Sequence, residues 1–96
     1  MPKILLTGYI QFPQNTSDED LACIRAELAI HSQLTLNEVG CIRFKVAQNI
    51  IDPLRFDVEE TFIDKAAFEC HQQRVKHSNW CKVSQSASRH YSTSEI

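Results

Sequence analysis

RFDVEETFIDKAAFECH, residues Arg55 to His71, contains a strand, a helix start and an acid–histidine pair within one short stretch. Phe56, Val58, Glu60 and Phe62 fall on one side of a period-2 strand, and Asp57, Glu59 and Thr61 fall on the other. Glu60 therefore interrupts an otherwise apolar face. Asp64 stands where a helix N-cap belongs, ahead of Lys65, Ala66, Ala67 and Phe68. The pattern predicts a helix from Asp64 to about Trp80. At 100° per residue, Ala67, Phe68, His71, Val75 and Ser78 share one arc of it, so His71 is expected to face the sheet beside Glu60.

Immediately upstream, Gly40 breaks the chain and CIRFKVAQ alternates, with Ile42, Phe44 and Val46 opposed to Arg43, Lys45 and Ala47. Asn49 to Pro53 reads as the turn of a hairpin centred on Ile51. That register sets Lys45 opposite Asp57, Arg43 opposite Glu59 and Ile42 opposite Glu60. One face then carries paired charges, and the other carries apolar side chains around Glu60, to be covered by helices.

Further out, Ile4 to Phe12 is a strand with Leu6, Ile10 and Phe12 on one side and Leu5, Thr7, Tyr9 and Gln11 on the other. Thr16 or Ser17, followed by Asp18, Glu19 and Asp20, caps a helix whose buried stripe is Leu21, Ile24, Leu28 and His31. Residues 82–96 are serine-rich, yet Ala87, Arg89 and Tyr91 alternate, so they form a last strand or a flexible end. Strand, helix, strand, strand, helix, strand is the ferredoxin-like βαββαβ order, an α+β fold.

Ninety-six residues with 43% hydrophobic content fit one small domain, residues 1–96, whose modest core favours association. A formal charge of −2 gives no electrostatic footprint for nucleic acid and no basic amphipathic helix for a lipid surface. No apolar run approaches the roughly 20 residues of a spanning helix, so a membrane is not expected as a partner. Cys23, Cys41, Cys70 and Cys81 show no CxxC spacing and no secretory leader precedes them, which fits reduced thiols in a cytoplasm.

Glu60-Thr61-Phe62, Ile63-Asp64, Ala67-Phe68 and His71, preceded by the glycine-led strand Val39-Gly40-Cys41-Ile42-Arg43-Phe44, resemble the antibiotic biosynthesis monooxygenase family. The resemblance extends over nearly the whole chain. It implies a dimeric α+β barrel, with a small pocket between sheet and helices in each protomer. It also implies a cofactor-free oxygenase acting on a small aromatic or quinol-like ligand. The haem-degrading branch of that family carries an Asn in the first strand and a Trp in the second helix, where this chain has Gly8 and His71. The phospho-autoinducer isomerase branch shares the Arg43-Phe44-Lys45-Val46 pattern, the helix histidine and a cysteine near Cys81.

A buried His71–Glu60 pair suits proton transfer, because a carboxylate orients an imidazole and leaves its other nitrogen to meet substrate. The same pair equally serves to satisfy two buried polar groups between helix and sheet. Phe44, Phe62, Phe68, Trp80 and Tyr9 are candidates for lining a pocket for a flat aromatic ligand, as against plain core. His31, His77 and His90 lack metal-ligand spacing, and neither a metal nor any other cofactor is expected. Three activities remain open. They are cofactor-independent oxidation of an aromatic or quinol, keto–enol or phosphosugar isomerisation by the same acid–base pair, and non-catalytic ligand binding or assembly.

Overall fold

The computed structural model describes residues 2–96. Its elements are β1 (Ile4–Gln11), α1 (Asp18–Leu36), β2 (Cys41–Gln48), β3 (Arg55–Phe62), α2 (Lys65–Lys76), α3 (Asn79–Val83) and β4 (Ser88–Glu95). The four strands form one antiparallel sheet in the order β2-β3-β1-β4, the ferredoxin-like arrangement. β4 pairs with β1 along its whole length, from Gln11–Ser88 to Ile4–Glu95. Residues 88–95 are thus a strand and not a flexible end.

α1 begins where Ser17 Oγ accepts a hydrogen bond from the Asp20 amide (3.0 Å), with Asp18, Glu19 and Asp20 in the positive first turn. Its buried face changes character along its length: Leu21, Ile24 and Leu28 are followed at the same spacing by His31 and Thr35. The apolar half packs with Ile10, Phe12, Phe56 and Trp80 into the core. The polar half lies over the part of the sheet that carries Glu60.

The hairpin departs from the register expected from the sequence. Val46 pairs with Val58, Phe44 with Glu60 and Lys45 with Glu59, a slip of two residues that centres the turn on Asp52 rather than Ile51. Side chains inside the turn set this longer loop. Asn49 Oδ1 accepts from the amides of Ile51 and Asp52 (both 2.9 Å), and Asp52 Oδ1 accepts from Leu54 N (3.0 Å). A slip of two preserves parity, so Glu60 keeps the face that periodicity assigns to it. A bulge between Cys41 and Arg43 leaves Ile42 without a partner and 48% exposed, not opposite Glu60. Arg43 Nε still reaches Glu59 Oε1 at 3.2 Å, now on the diagonal, whereas Asp57 accepts from Asn49 and Arg55 instead of facing Lys45.

The second helix is also two helices rather than one. Ser78 Oγ donates to Val75 O (2.7 Å) and accepts from Cys81 N (3.1 Å), ending α2 and capping α3 with one hydroxyl. The chain turns there, and Trp80 swings into the core at 7% exposure.

Gly8 has φ +150°, and a Cβ there would collide with the His90 carbonyl of β4. Position 8 is therefore closed to any side chain. Gly8→Ala is expected to destabilise the protein by about 1–3 kcal/mol through backbone strain, and by more from the collision. Urea unfolding of the two proteins measures this as a lower midpoint.

Candidate functional site

His71 owes its position to both ends of a short connection. Asp64 Oδ1 accepts from Ala67 N (2.8 Å), which fixes the first turn of α2. Ala67 then packs directly on Gly40, where even a methyl group would overlap it. Ile63 N donates to Gly40 O (2.9 Å), tying the end of β3 to the same point. One turn beyond Ala67, His71 points into the interior with 2% of its surface exposed. Two residues before Gly40 stands Glu38, and the close approach at Gly40 brings the two together.

Glu38 Oε2 accepts a hydrogen bond from His71 Nδ1 at 2.8 Å and another from Arg74 Nη2 at 3.2 Å. Arg74 Nη2 also donates to Thr35 Oγ1 (2.8 Å), whose hydroxyl donates to His31 O (2.8 Å). With Nδ1 serving as the donor to a carboxylate, the imidazole presents Nε2 as an unprotonated nitrogen. Glu60 Oε1 lies 3.6 Å from that nitrogen and has no hydrogen-bond partner in the protein, although Glu60 is only 7% exposed.

Glu60 and His71 thus meet as strand parity and helix phase predict, but the imidazole is held by Glu38 and not by Glu60. Glu38 lies in a turn outside any periodic pattern. Its position directly after the Asn37 C-cap of α1 was the only sequence signal for it.

Glu60 and His71 line an interior chamber of ≈ 90 Å³ together with His31, Trp80, Arg89 and Tyr91. His31, expected only as the end of a buried stripe, stacks on Trp80 at 5.5 Å between ring centroids and 18° between planes. Its Nδ1 also lacks a partner. Phe44 meets the rings of His31 (5.5 Å) and His71 (6.2 Å) edge-on, and Phe62 lies 4.9 Å from His71, so these two phenylalanines back the imidazoles.

The two other aromatic candidates lie elsewhere. Phe68 packs edge-on against Phe62 and borders a separate depression with Ile4 and Lys65. Tyr9 is on the opposite face of the sheet, stacked on His90 at 4.6 Å beneath the Arg55 guanidinium. Its odd position in β1 sends it outward. Arg89 and Tyr91 reach the chamber because they pair with Ile10 and Gly8 on the helix-facing side of β1. Arg89 is anchored by Nη2 donating to Ser84 Oγ at 2.6 Å. Among the described residues, no group of three or more His, Cys, Asp or Glu side chains is arranged to hold a metal ion.

The family model for antibiotic biosynthesis monooxygenases matches residues 15–83, a span that includes Glu38, Glu60, His71 and Trp80. The chain belongs to the antibiotic biosynthesis monooxygenase family. Solved structures with the same fold include a protein of Shewanella oneidensis, with 24% identity, TM-score 0.76, and coverage of 99% of this chain and 91% of the other. A dimeric ferredoxin-like protein from an uncultured marine organism has 16% identity and TM-score 0.74, over 100% and 96% of the two chains. MupZ from Pseudomonas fluorescens has 19% identity and TM-score 0.75, over 97% of this chain and 68% of its own. No curated protein gives a significant match.

In this antibiotic biosynthesis monooxygenase family member the chamber holds opposed titrations. Burial raises the Glu60 carboxyl from the ordinary 4.5 to about 7, with the Glu38 charge adding to the effect. Burial lowers His31 from 6.5 to about 4, helped by Arg74 and His71. Burial also lowers His71, partly offset by its bond to Glu38, so the imidazole is neutral at pH 7.

The consequence for stability has a definite sign. Between pH 4.5 and 7 the unfolded chain releases the Glu60 proton while the folded chain retains it. The carboxyl therefore lowers stability as pH rises through that window, by about 3 kcal/mol in total. His31 acts in the opposite sense, lowering stability as pH falls from 6.5 towards 4. Comparing Glu60→Gln with the parent protein isolates the first effect. In urea unfolding the variant should gain about 3 kcal/mol relative to the parent between pH 4 and pH 8. A constant difference across that range would mean that the carboxyl is not held neutral.

Proposed function

We propose that this protein is a cofactor-independent monooxygenase that oxidises a small electron-rich aromatic or quinol, with His71 as its base, and that it works as a homodimer. The observation that supports this reading most directly is the Glu38–His71 bond, which leaves Nε2 free in a largely enclosed chamber beside Glu60. Nε2 takes the proton of a phenolic hydroxyl, and Glu38 stabilises the imidazolium that forms. The phenolate then supplies electrons to O₂, and a ring carbon–oxygen bond forms. The O–O bond breaks with proton delivery from neutral Glu60, and one oxygen leaves as water. In sum, a quinol and O₂ give a hydroxyquinone and water.

Isomerisation of a phosphorylated substrate is supported less. Arg74 in the adjoining groove has its Nη2 engaged by Glu38 and Thr35, and Arg89 at the chamber donates to Ser84 and Ala87.

Association is favoured because helices cover only one face of the sheet, and the other, with Tyr9, His90 and Arg55, has no second layer. A relative of the same fold is described as dimeric. No helix among the described residues is long and apolar enough to cross a membrane. All four cysteines are free, Cys23 and Cys70 exposed and Cys41 and Cys81 half-buried, which supports a reducing, cytoplasmic setting.

Oxygen uptake across a panel of hydroquinones tests the activity. His71→Gln keeps a hydrogen bond to Glu38 but cannot cycle a proton near neutral pH. It should retain the fold and lose about 10²-fold or more in kcat. A fully active variant would leave His71 a structural role only. Parent activity should fall as the pH drops and the imidazole is protonated. Sedimentation velocity at micromolar concentration should show a dimer, and a monomer with full helix content would remove the barrel arrangement.

A further inference from the structure

The chamber is too small for a whole aromatic substrate. At ≈ 90 Å³ it is below the roughly 150 Å³ of a cavity that admits benzene. Only the hydroxylated edge of a ring fits among Glu60, His31 and His71. Behind the His31–Trp80 stack, however, lies a second and larger cavity of ≈ 320 Å³ between α1 and the α2–α3 turn. The groove and the chamber share His31 and Trp80 as walls, so a ligand that reaches both spaces parts that stack. The groove's apolar lining is Ile30, Leu34 and Trp80, and Ile30 and Leu34 are 54% and 49% exposed on α1.

The polar atoms specify the head of the ligand as the groove specifies its tail. Glu60 Oε1 and His31 Nδ1 are both buried without a hydrogen-bond partner, on side chains 7% and 5% exposed that both line the chamber. Buried polar atoms of this kind are normally paired, and two hydroxyl groups on one ring edge would pair both. We infer that the substrate is a dihydroxyarene bearing an alkyl chain, its hydroxyls in the chamber against Glu60 and His31, its ring on Trp80 and its chain along Ile30 and Leu34. This rests on the oxygenase reading for the identity of the head group, and on the groove alone for the tail.

Trp80 is the only tryptophan of the chain and stands between the two spaces, so its fluorescence reports occupancy directly. Binding of a 4-alkylcatechol series, methyl to hexyl, is to be titrated by Trp80 quenching under nitrogen, which keeps the catechols reduced. Each methylene buried in the groove should tighten binding by about three- to fourfold. Leu34→Asp should flatten that dependence. Leu36→Asp, an equally exposed change on α1 outside the groove, should leave it in place.

Affinity independent of chain length in the parent protein would overturn the proposal, as would equal flattening by both variants. Oxygen uptake on the same series separates the two readings. Turnover with length-independent binding removes the groove and leaves the oxygenase. Length-dependent binding without turnover of any member removes the oxygenase and leaves the groove.

Discussion

The hydrogen bond from His71 Nδ1 to Glu38 is the contact on which the interior of this protein depends. An imidazole that is 2% exposed must have at least one nitrogen served, and the side chain that serves it sets which nitrogen remains for other work. Several features that look unrelated act through that bond. Gly40 lets Ala67 approach closely enough for α2 to bring His71 to Glu38, and the Asp64 cap starts α2 in the right place. Arg74 and Thr35 hold the carboxylate from its other side. Loss of the glycine would move the helix, and loss of the carboxylate would free the ring to turn.

A layered interior follows. Along α1 the inward residues run from Leu21, Ile24 and Leu28 to His31 and Thr35, and along β3 from Phe56 and Val58 to Glu60. Both elements change from apolar to polar at the same depth in the fold. The apolar layer holds helix and sheet together, and the polar layer, backed by Phe44 and Phe62, surrounds the chamber. Near neutral pH the two imidazoles of the chamber are neutral and Glu60 is close to half protonated, with the Arg89 guanidinium also on its wall. Such an environment accepts a phenol readily, and the Glu38 carboxylate stands behind the base where positive charge would develop.

Much of this was legible in the sequence where physics is periodic or local. The α1 stripe, the caps at Ser17 and Asp64, and the faces of Glu60 and His71 all follow from residue spacing and hydrogen-bonding chemistry. The strand order agrees with the element order. The misses have physical causes of equal clarity. The hairpin slipped by two because Asn49 and Asp52 build the turn with their side chains, and pairing charges across strands carries no information about turn length. The long helix broke because one hydroxyl, on Ser78, satisfies backbone groups on both sides of it. Tyr9 alternates against Leu6 and Ile10, and parity sends it outward whatever its aromatic character suggests. Glu38 was illegible because a contact 33 residues long, between a turn and a helix, leaves no mark on periodicity.

β4 contributes Arg89 and Tyr91 to the chamber, yet it lies at the edge of the sheet and is held laterally by β1 alone. Pairing Ile4 with Glu95 closes a loop that spans almost the entire chain. The conformational entropy lost in such a closure rises with the logarithm of loop length, and contacts of this range slow folding. The wall that β4 gives the chamber is therefore made of the fold's most distant strand pairing, so the capped helices and the Glu38–His71 bond can be in place while the chamber is still open on one side.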